Sequence, residues 1–299
     1  MRRKILITLA AVAVCLPGFA QALPSLLIPS EASVLGVGGA AVAGPTGAFA
    51  VDNNAAAMSL SQSKASVGVS YSLWQPSAAK DHLLGVGGYW HGGKLSLGAS
   101  VKRFAMPSYE VTSTNGVVSQ VDGVFKPADL SVALGGSFAV ADWLSVGVAA
   151  RLTSSSMAKD AKATVFGADI SVMYAGESLR AALVVANLGG KVKYGESSYA
   201  QPTQARAGAA YTFLDCLTAQ AELSYLFAGS FGAAAGLTWS MRDMLFVRAG
   251  FHYGSGNVGL PTFASLGLGG RFAGVSLDAA YLLMGPLGNT LQATLSYSF

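Results

Sequence analysis

Lys102, Arg151, Asp169, Arg180, Arg206, Glu222, Arg248, Arg271 and Asp278 are the side chains best equipped for chemistry. Each stands in a run where apolar residues take every second position. Arg151, for example, is out of phase with Leu144, Val146, Val148, Ala150 and Leu152. Successive side chains of an extended strand point to opposite faces, so the charges gather on the face that the apolar residues leave free. Two chemistries suit such a set. The charges can pair with one another and with nearby backbone, or the surplus of arginine (Arg151, Arg180, Arg206, Arg248) can hold an anionic group such as a carboxylate.

The residues of covalent or metal catalysis do not assemble in the same way. His82, His91 and His252 are the three histidines, and no Ser–His–acid spacing points to any of them. The sequence offers no Cys/His cluster for a metal. Gly254-Ser255-Gly256-Asn257-Val258-Gly259 matches the dinucleotide-binding pattern, but it follows a strand pattern and opens no helix, so it reads as a flexible loop. The expectation is a protein that is not an enzyme and uses no cofactor.

Composition defines the elements that must carry the charged set. Arg2, Arg3 and Lys4 precede the apolar stretch 5–16 and the small-residue site Ala20-Gln21-Ala22. Residues 1–22 therefore read as a secretory signal, with a mature start at Leu23. Its apolar stretch has twelve residues, too few for the roughly 20 that a membrane-spanning helix needs. Of 19 basic residues three lie in the signal, leaving sixteen against 15 acids, a net charge of +1. Nothing in that balance points to a nucleic-acid partner. Cys15 leaves with the signal, so Cys216 has no intrachain disulfide partner.

Hydrophobic residues make up 52% of the chain and charged residues 11%, against roughly 25% charged in an average soluble domain. Yet no stretch after the signal is apolar for long enough to be a spanning helix. A closed sheet that faces lipid with every second residue satisfies both facts, since closure pairs all backbone groups. Alternation marks about fourteen strands, near 65–75, 82–91, 94–104, 129–140, 143–153, 163–174, 178–187, 204–213, 217–227, 231–240, 244–253, 263–272, 274–283 and 290–299. Every second connection is short (91–93, 141–142, 175–177, 214–216, 241–243 and 273), while the other series includes the long 105–128, 154–162, 188–203 and 254–262, with only 228–230 short. A soluble sandwich would also alternate but would not need that split. The fold class is thus all-β: a closed antiparallel transmembrane β-barrel of about 14 strands over 63–299, in the bacterial outer membrane, with both termini periplasmic, long loops outside and lipid around it. The charged phase then faces the lumen, because a base on the lipid face costs about 2–4 kcal/mol at mid-depth.

Residues 23–62 do not alternate. They are rich in small residues, which suit close packing against backbone, and read as a plug folded into the lumen; a periplasmic tail is the alternative. Ala32-Ser33-Val34-Leu35-Gly36-Val37-Gly38-Gly39-Ala40 and Asn54-Ala55-Ala56 resemble the N-terminal signature of FadL-like proteins, and more closely of the PorV/PorQ branch. Gly36, Gly38, Gly39 and Asn54 carry that motif, and Ala55 stands where the branch usually has proline. Val185-Ala186-Asn187-Leu188-Gly189, Gln201-Pro202-Thr203, Met244–Phe251 and Val275–Tyr281 are similar to the same branch. The resemblance implies a 14-stranded barrel with an N-terminal plug, and a role in type IX protein secretion or cargo handling. The alternative is a FadL-like channel for hydrophobic small molecules such as long-chain fatty acids. The implied partners are secreted cargo proteins or a hydrophobic molecule, and the barrel assembly machinery through the C-terminal Phe299. On the secretion reading the external loops dock partners, with Phe104, Met106, Tyr109, Val111, Phe125, Tyr194 and Tyr199 as apolar anchors.

Overall fold

The computed structural model describes residues 21–114, 119–256 and 259–299. Almost all of the expected signal, with Cys15, and Asn257-Val258 of the glycine-rich loop lie outside the described residues. The strands are β1 (Ala65–Trp74), β2 (Asp81–Gly92), β3 (Leu95–Ala105), β4 (Tyr109–Thr114), β5 (Ser119–Phe125), β6 (Ala128–Ala141), β7 (Leu144–Ser156), β8 (Lys162–Ala175) and β9 (Leu179–Gly189). They continue as β10 (Val192–Tyr194), β11 (Ser197–Tyr199), β12 (Gln204–Phe213), β13 (Leu217–Leu226), β14 (Ser230–Met241), β15 (Leu245–Gly254), β16 (Phe263–Phe272), β17 (Val275–Leu283) and β18 (Thr290–Ser298). Fourteen of them close an antiparallel barrel, with β1 completing the ring against β18. The two remaining pairs, β4–β5 and β10–β11, are separate hairpins in the long connections.

Alternation dictates the two faces. In β7 Val148 is 60% exposed on the outer wall while Ser145 is fully buried within. Aromatic side chains gather on the outer wall near both rims. Trp90, Trp143, Tyr174, Tyr211, Trp239 and Tyr297 mark the short-turn end, and Tyr71, Phe166, Tyr225, Phe251 and Tyr281 the other. This is the double girdle of a barrel that crosses a bilayer. The short turns are tight. Both residues of Leu214-Asp215, of Arg242-Asp243 and of Ala273-Gly274 have positive φ, as a type I′ hairpin requires.

Residues 21–62 fill the lumen. The chain crosses the long-loop end through a 3-10 turn (Pro24–Leu27) and descends through helix α1 (Ala32–Leu35). Helix α2 (Ala50–Asn53) and a second 3-10 turn (Ala55–Leu60) then lead to β1 at the short-turn end. The two ends of the described chain lie at opposite rims. Ile28 packs with Trp74, Leu83, Phe104 and Phe263 at the long-loop end, whereas Phe299 donates its N–H to the Ala65 carbonyl at the short-turn end. The plug runs the full height of the lumen between them.

Candidate functional site

The lumen is built around the plug through glycines on the inner phase of the strands. A Cβ at Gly267 would stand 3.0 Å from the Gly36 Cα. At Gly236 and Gly250 it would run into the Val37 backbone, and at Gly147 into the backbone of Ala55 and Ala56. Gly87 and Gly135 likewise leave room for Phe49 and Val51, and Gly98 for Met58. Within the plug, Gly38 and Gly39 have φ of 74° and 84°, ending α1 in the left-handed region that glycine reaches without cost. Asn54 caps the next turn, accepting from Ala56 N at 3.0 Å, and its Nδ2 donates to the Val42 carbonyl at 2.7 Å. The turn forms with Ala55 at its first position, the slot where proline is pre-organised but not obligatory.

The charged set holds this plug from the sides. Arg151 bridges Asp52 of the plug (3.2 Å) and Asp169 of β8 (3.0 Å), all three nearly inaccessible. Asp52 also accepts from Ser100 at 2.8 Å. Arg206 pairs with Glu222 at 2.6 Å, and the other oxygen of Glu222 accepts the N–H groups of Ala41 (2.7 Å) and Val42 (2.9 Å). Arg248 pairs with Asp278 at 2.6 Å. Lys102 donates to the Ile28 carbonyl at 2.8 Å and Arg180 to the Gly44 carbonyl at 3.2 Å. Arg271 lies exposed at the short-turn mouth, donating to Ser276 at 3.2 Å with its guanidinium 5.3 Å from the Phe246 ring centre. Three of the four surplus arginines thus already hold a carboxylate, where an anionic ligand would have to bind.

Asp52, Glu31 and Asn187 were not singled out as site residues from the sequence. Lone acids in a small-residue plug were the available signal, since a buried carboxylate needs partners. Glu31 accepts from Asn53 at 3.2 Å. Asn187, at φ 57°, forms a bulge of β9 against β8; its N–H donates to Asp169 at 2.7 Å and its Nδ2 to the Pro202 carbonyl at 3.1 Å.

The expected loop anchors divide. Tyr109 and Phe125 face each other across the β4–β5 hairpin (5.7 Å between ring centres), beside Val124, which is 63% exposed. Phe104 is a correction: it belongs to β3, points into the lumen and packs in the apolar cluster under the long-loop end. β3 continues past it, and on that strand the inner phase holds Ser96, Ser100, Lys102 and then Phe104. Tyr194 and Tyr199 lie on β10–β11 but are half-buried against Ala22, Leu23 and Leu26 of the plug, so they do not offer themselves to solvent as anchors.

Little free space remains inside. A cavity of ≈ 50 Å³, as much apolar as polar in its lining, lies between Pro29 and Gly39 of the plug and Arg206, Glu222, Ser230 and His252 of the wall. Another of ≈ 20 Å³ adjoins Asp52, Lys102 and Arg151. Pockets for small organic ligands hold roughly 300–1,000 Å³ and are mostly apolar.

Solved structures share the architecture at low identity. The toluene transporter TbuX of Ralstonia pickettii is 14% identical, with a TM-score of 0.69 over 91% of this chain and 98% of that one. TodX of Pseudomonas putida, also a toluene transporter, gives 13%, 0.70, 91% and 98%. A FadL homologue of Pseudomonas aeruginosa gives 15%, 0.62, 94% and 100%. At such identities the likeness establishes the fold alone. No protein of curated function matches the chain. The family model described as type IX secretion system protein PorV matches residues 18–227, more than two thirds of the sequence. A closed 14-stranded barrel with girdled rims and a lumen-filling plug, matched over that span, belongs to the PorV family of outer-membrane barrels.

Proposed function

We propose that the protein is a non-enzymatic component of type IX protein secretion that handles exported cargo at the outer membrane, using a barrel that stays plugged. One observation carries the reading beyond family membership. The lumen is occupied by 21–62, beside which lie cavities of only ≈ 50 and ≈ 20 Å³, so the barrel serves as a rigid platform for its loops. Partners then dock outside the lumen, and the β4–β5 hairpin offers exposed Tyr109 and Val124 as anchors, with the half-buried Phe125 backing Tyr109.

Deletion of the gene tests this. Mass spectrometry of supernatant, cell surface and periplasm should show a set of secreted proteins with a common C-terminal domain retained in the periplasm. Unchanged localisation, together with lost uptake of a hydrophobic nutrient, would overturn the proposal in favour of FadL-like transport. Orientation is checked separately in a Cys216→Ser background. Ser113→Cys and Ser197→Cys should react with an impermeant maleimide on intact cells and Ser178→Cys should not; the reverse pattern means an inverted barrel.

A further inference from the structure

We propose that hairpin β10–β11 and plug residues 23–28 form a latch with Asp129 as its junction. Drawing the hairpin away from the rim frees the outer end of the plug while the part seated on the glycines stays in place. The inference does not depend on whether the protein serves secretion or uptake.

A relay of short hydrogen bonds joins the two pieces. Tyr194 Oη donates to Ser155 Oγ at 2.6 Å, and Ser155 Oγ donates to Asp129 Oδ1 at 2.6 Å. The other carboxylate oxygen accepts from Ser25 Oγ of the plug at 2.7 Å. Asp129 is buried, and among the described residues it has no cationic partner, so these hydroxyls are what satisfies it. Beside the relay Ala22, Leu23 and Leu26 pack with Val165 and Val192, flanked by Tyr194 and Tyr199. Ser25 and the two leucines follow the expected processing site, so the latch persists in a chain that starts at Leu23.

The two ends of the plug are held by different physics. Leu23, Ser25 and Leu26 meet the wall and hairpin through side chains, which can rotate away, and Ile28 is held through its carbonyl by the flexible Lys102 side chain. Residues 36–39 and 55–57 meet it backbone to backbone at Gly267, Gly250 and Gly147, where no rotation helps. The hairpin is itself separable, because β10 and β11 pair with each other and lie outside the barrel sheet. Its apolar face covers the plug, while Lys193 and Glu196–Ser198 face solvent, where a partner can grip without disturbing the barrel. Local opening takes place where few buried contacts must break, and this end of the plug is such a place.

The test uses detergent-solubilised mature protein with Cys216→Ser and one new cysteine, Leu26→Cys or Val51→Cys, both buried at present (9% and 2% exposed). Reaction with a bulky maleimide is followed, and retention of heat-modifiable gel mobility confirms a folded barrel. Leu26→Cys should label slowly, then about tenfold faster once Tyr194→Phe or Ser25→Ala cuts the relay. Val51→Cys should stay protected throughout. A Leu26→Cys rate that neither cut alters would overturn the latch, as would rapid labelling in the uncut protein. Parallel acceleration at Val51→Cys would show instead that the plug moves as one body.

Discussion

Replacement of Arg151 by methionine is expected to destabilise the plugged barrel by about 3–5 kcal/mol, the usual cost of stranding the partners of a buried ion. Arg151 is enclosed between Asp52 of the plug and Asp169 of β8, with side-chain exposures of 5%, 5% and 8%. Removing its charge leaves two carboxylates with the buried Lys102 nearby, whose ammonium is bonded to the Ile28 carbonyl and pairs with neither. Asp52 retains hydroxyl donors from Ser100 and Ser30, and Asp169 retains the Asn187 N–H; these solvate but do not neutralise. Lysine should rescue only part of the loss, since one ammonium cannot reproduce a guanidinium that spans both acids. The triple change Arg151→Met, Asp52→Asn, Asp169→Asn should recover most of it, because it removes the charges together. The measurement is urea unfolding in lipid vesicles, followed by tryptophan emission. A loss below about 1 kcal/mol for Arg151→Met would mean that water reaches the triad and that the plug is not sealed there.

The same triad shows where sequence reading stops. Arg151 and Asp169 were placed in the lumen because a period-two pattern assigns faces, and a base on the lipid face is costly. Nothing periodic in 23–62 assigned Asp52 to either of them. That pairing depends on how the plug climbs, which is set by contacts with glycines far away in sequence. The strands were legible for the opposite reason: β12 and β16 depend on local alternation and a bilayer of fixed thickness. Phe104 failed where the rule itself changes. At the long-loop end the lumen is sealed by Ile28, Trp74, Leu83, Phe263 and Leu282, so its inner phase becomes apolar. The neighbouring outer phase then carries Arg103. The doublets Leu83-Leu84 and Leu282-Leu283 have the same origin, one leucine for the seal and one for the wall. A doublet at a strand end is therefore a readable sign of a capped lumen. The motif around Asn187 has its physical reason in the β9 bulge, a left-handed residue tied on both sides by hydrogen bonds, which alternation cannot show.

Glycine seating makes the plug's position the property most sensitive to a single added side chain. Gly250→Val and Gly147→Val are expected to expel the middle of the plug while the barrel stays closed. The new side chain at Gly250 would occupy the space of Gly38 N and the Val37 backbone; at Gly147, that of the Ala55–Ala56 backbone. Overpacking a core costs about 1–3 kcal/mol when side chains can shift. Here the obstacle is main chain whose N–H groups are already committed, Gly38 to Ser265 at 3.0 Å and Ala56 to Ser171 at 3.0 Å. Relief therefore requires the segment to leave, and those donors lose their partners as it does. Planar-bilayer recording reads the outcome directly. The unaltered protein should be silent, whereas both variants should show discrete channel openings through the vacated lumen. Gly270→Val is the matched control, because a side chain there meets nothing within 4 Å, and it should remain silent. If Gly250→Val and Gly147→Val are folded but silent too, the plug tolerates displacement by side-stepping within the lumen. Glycine seating would then not be what keeps the barrel shut.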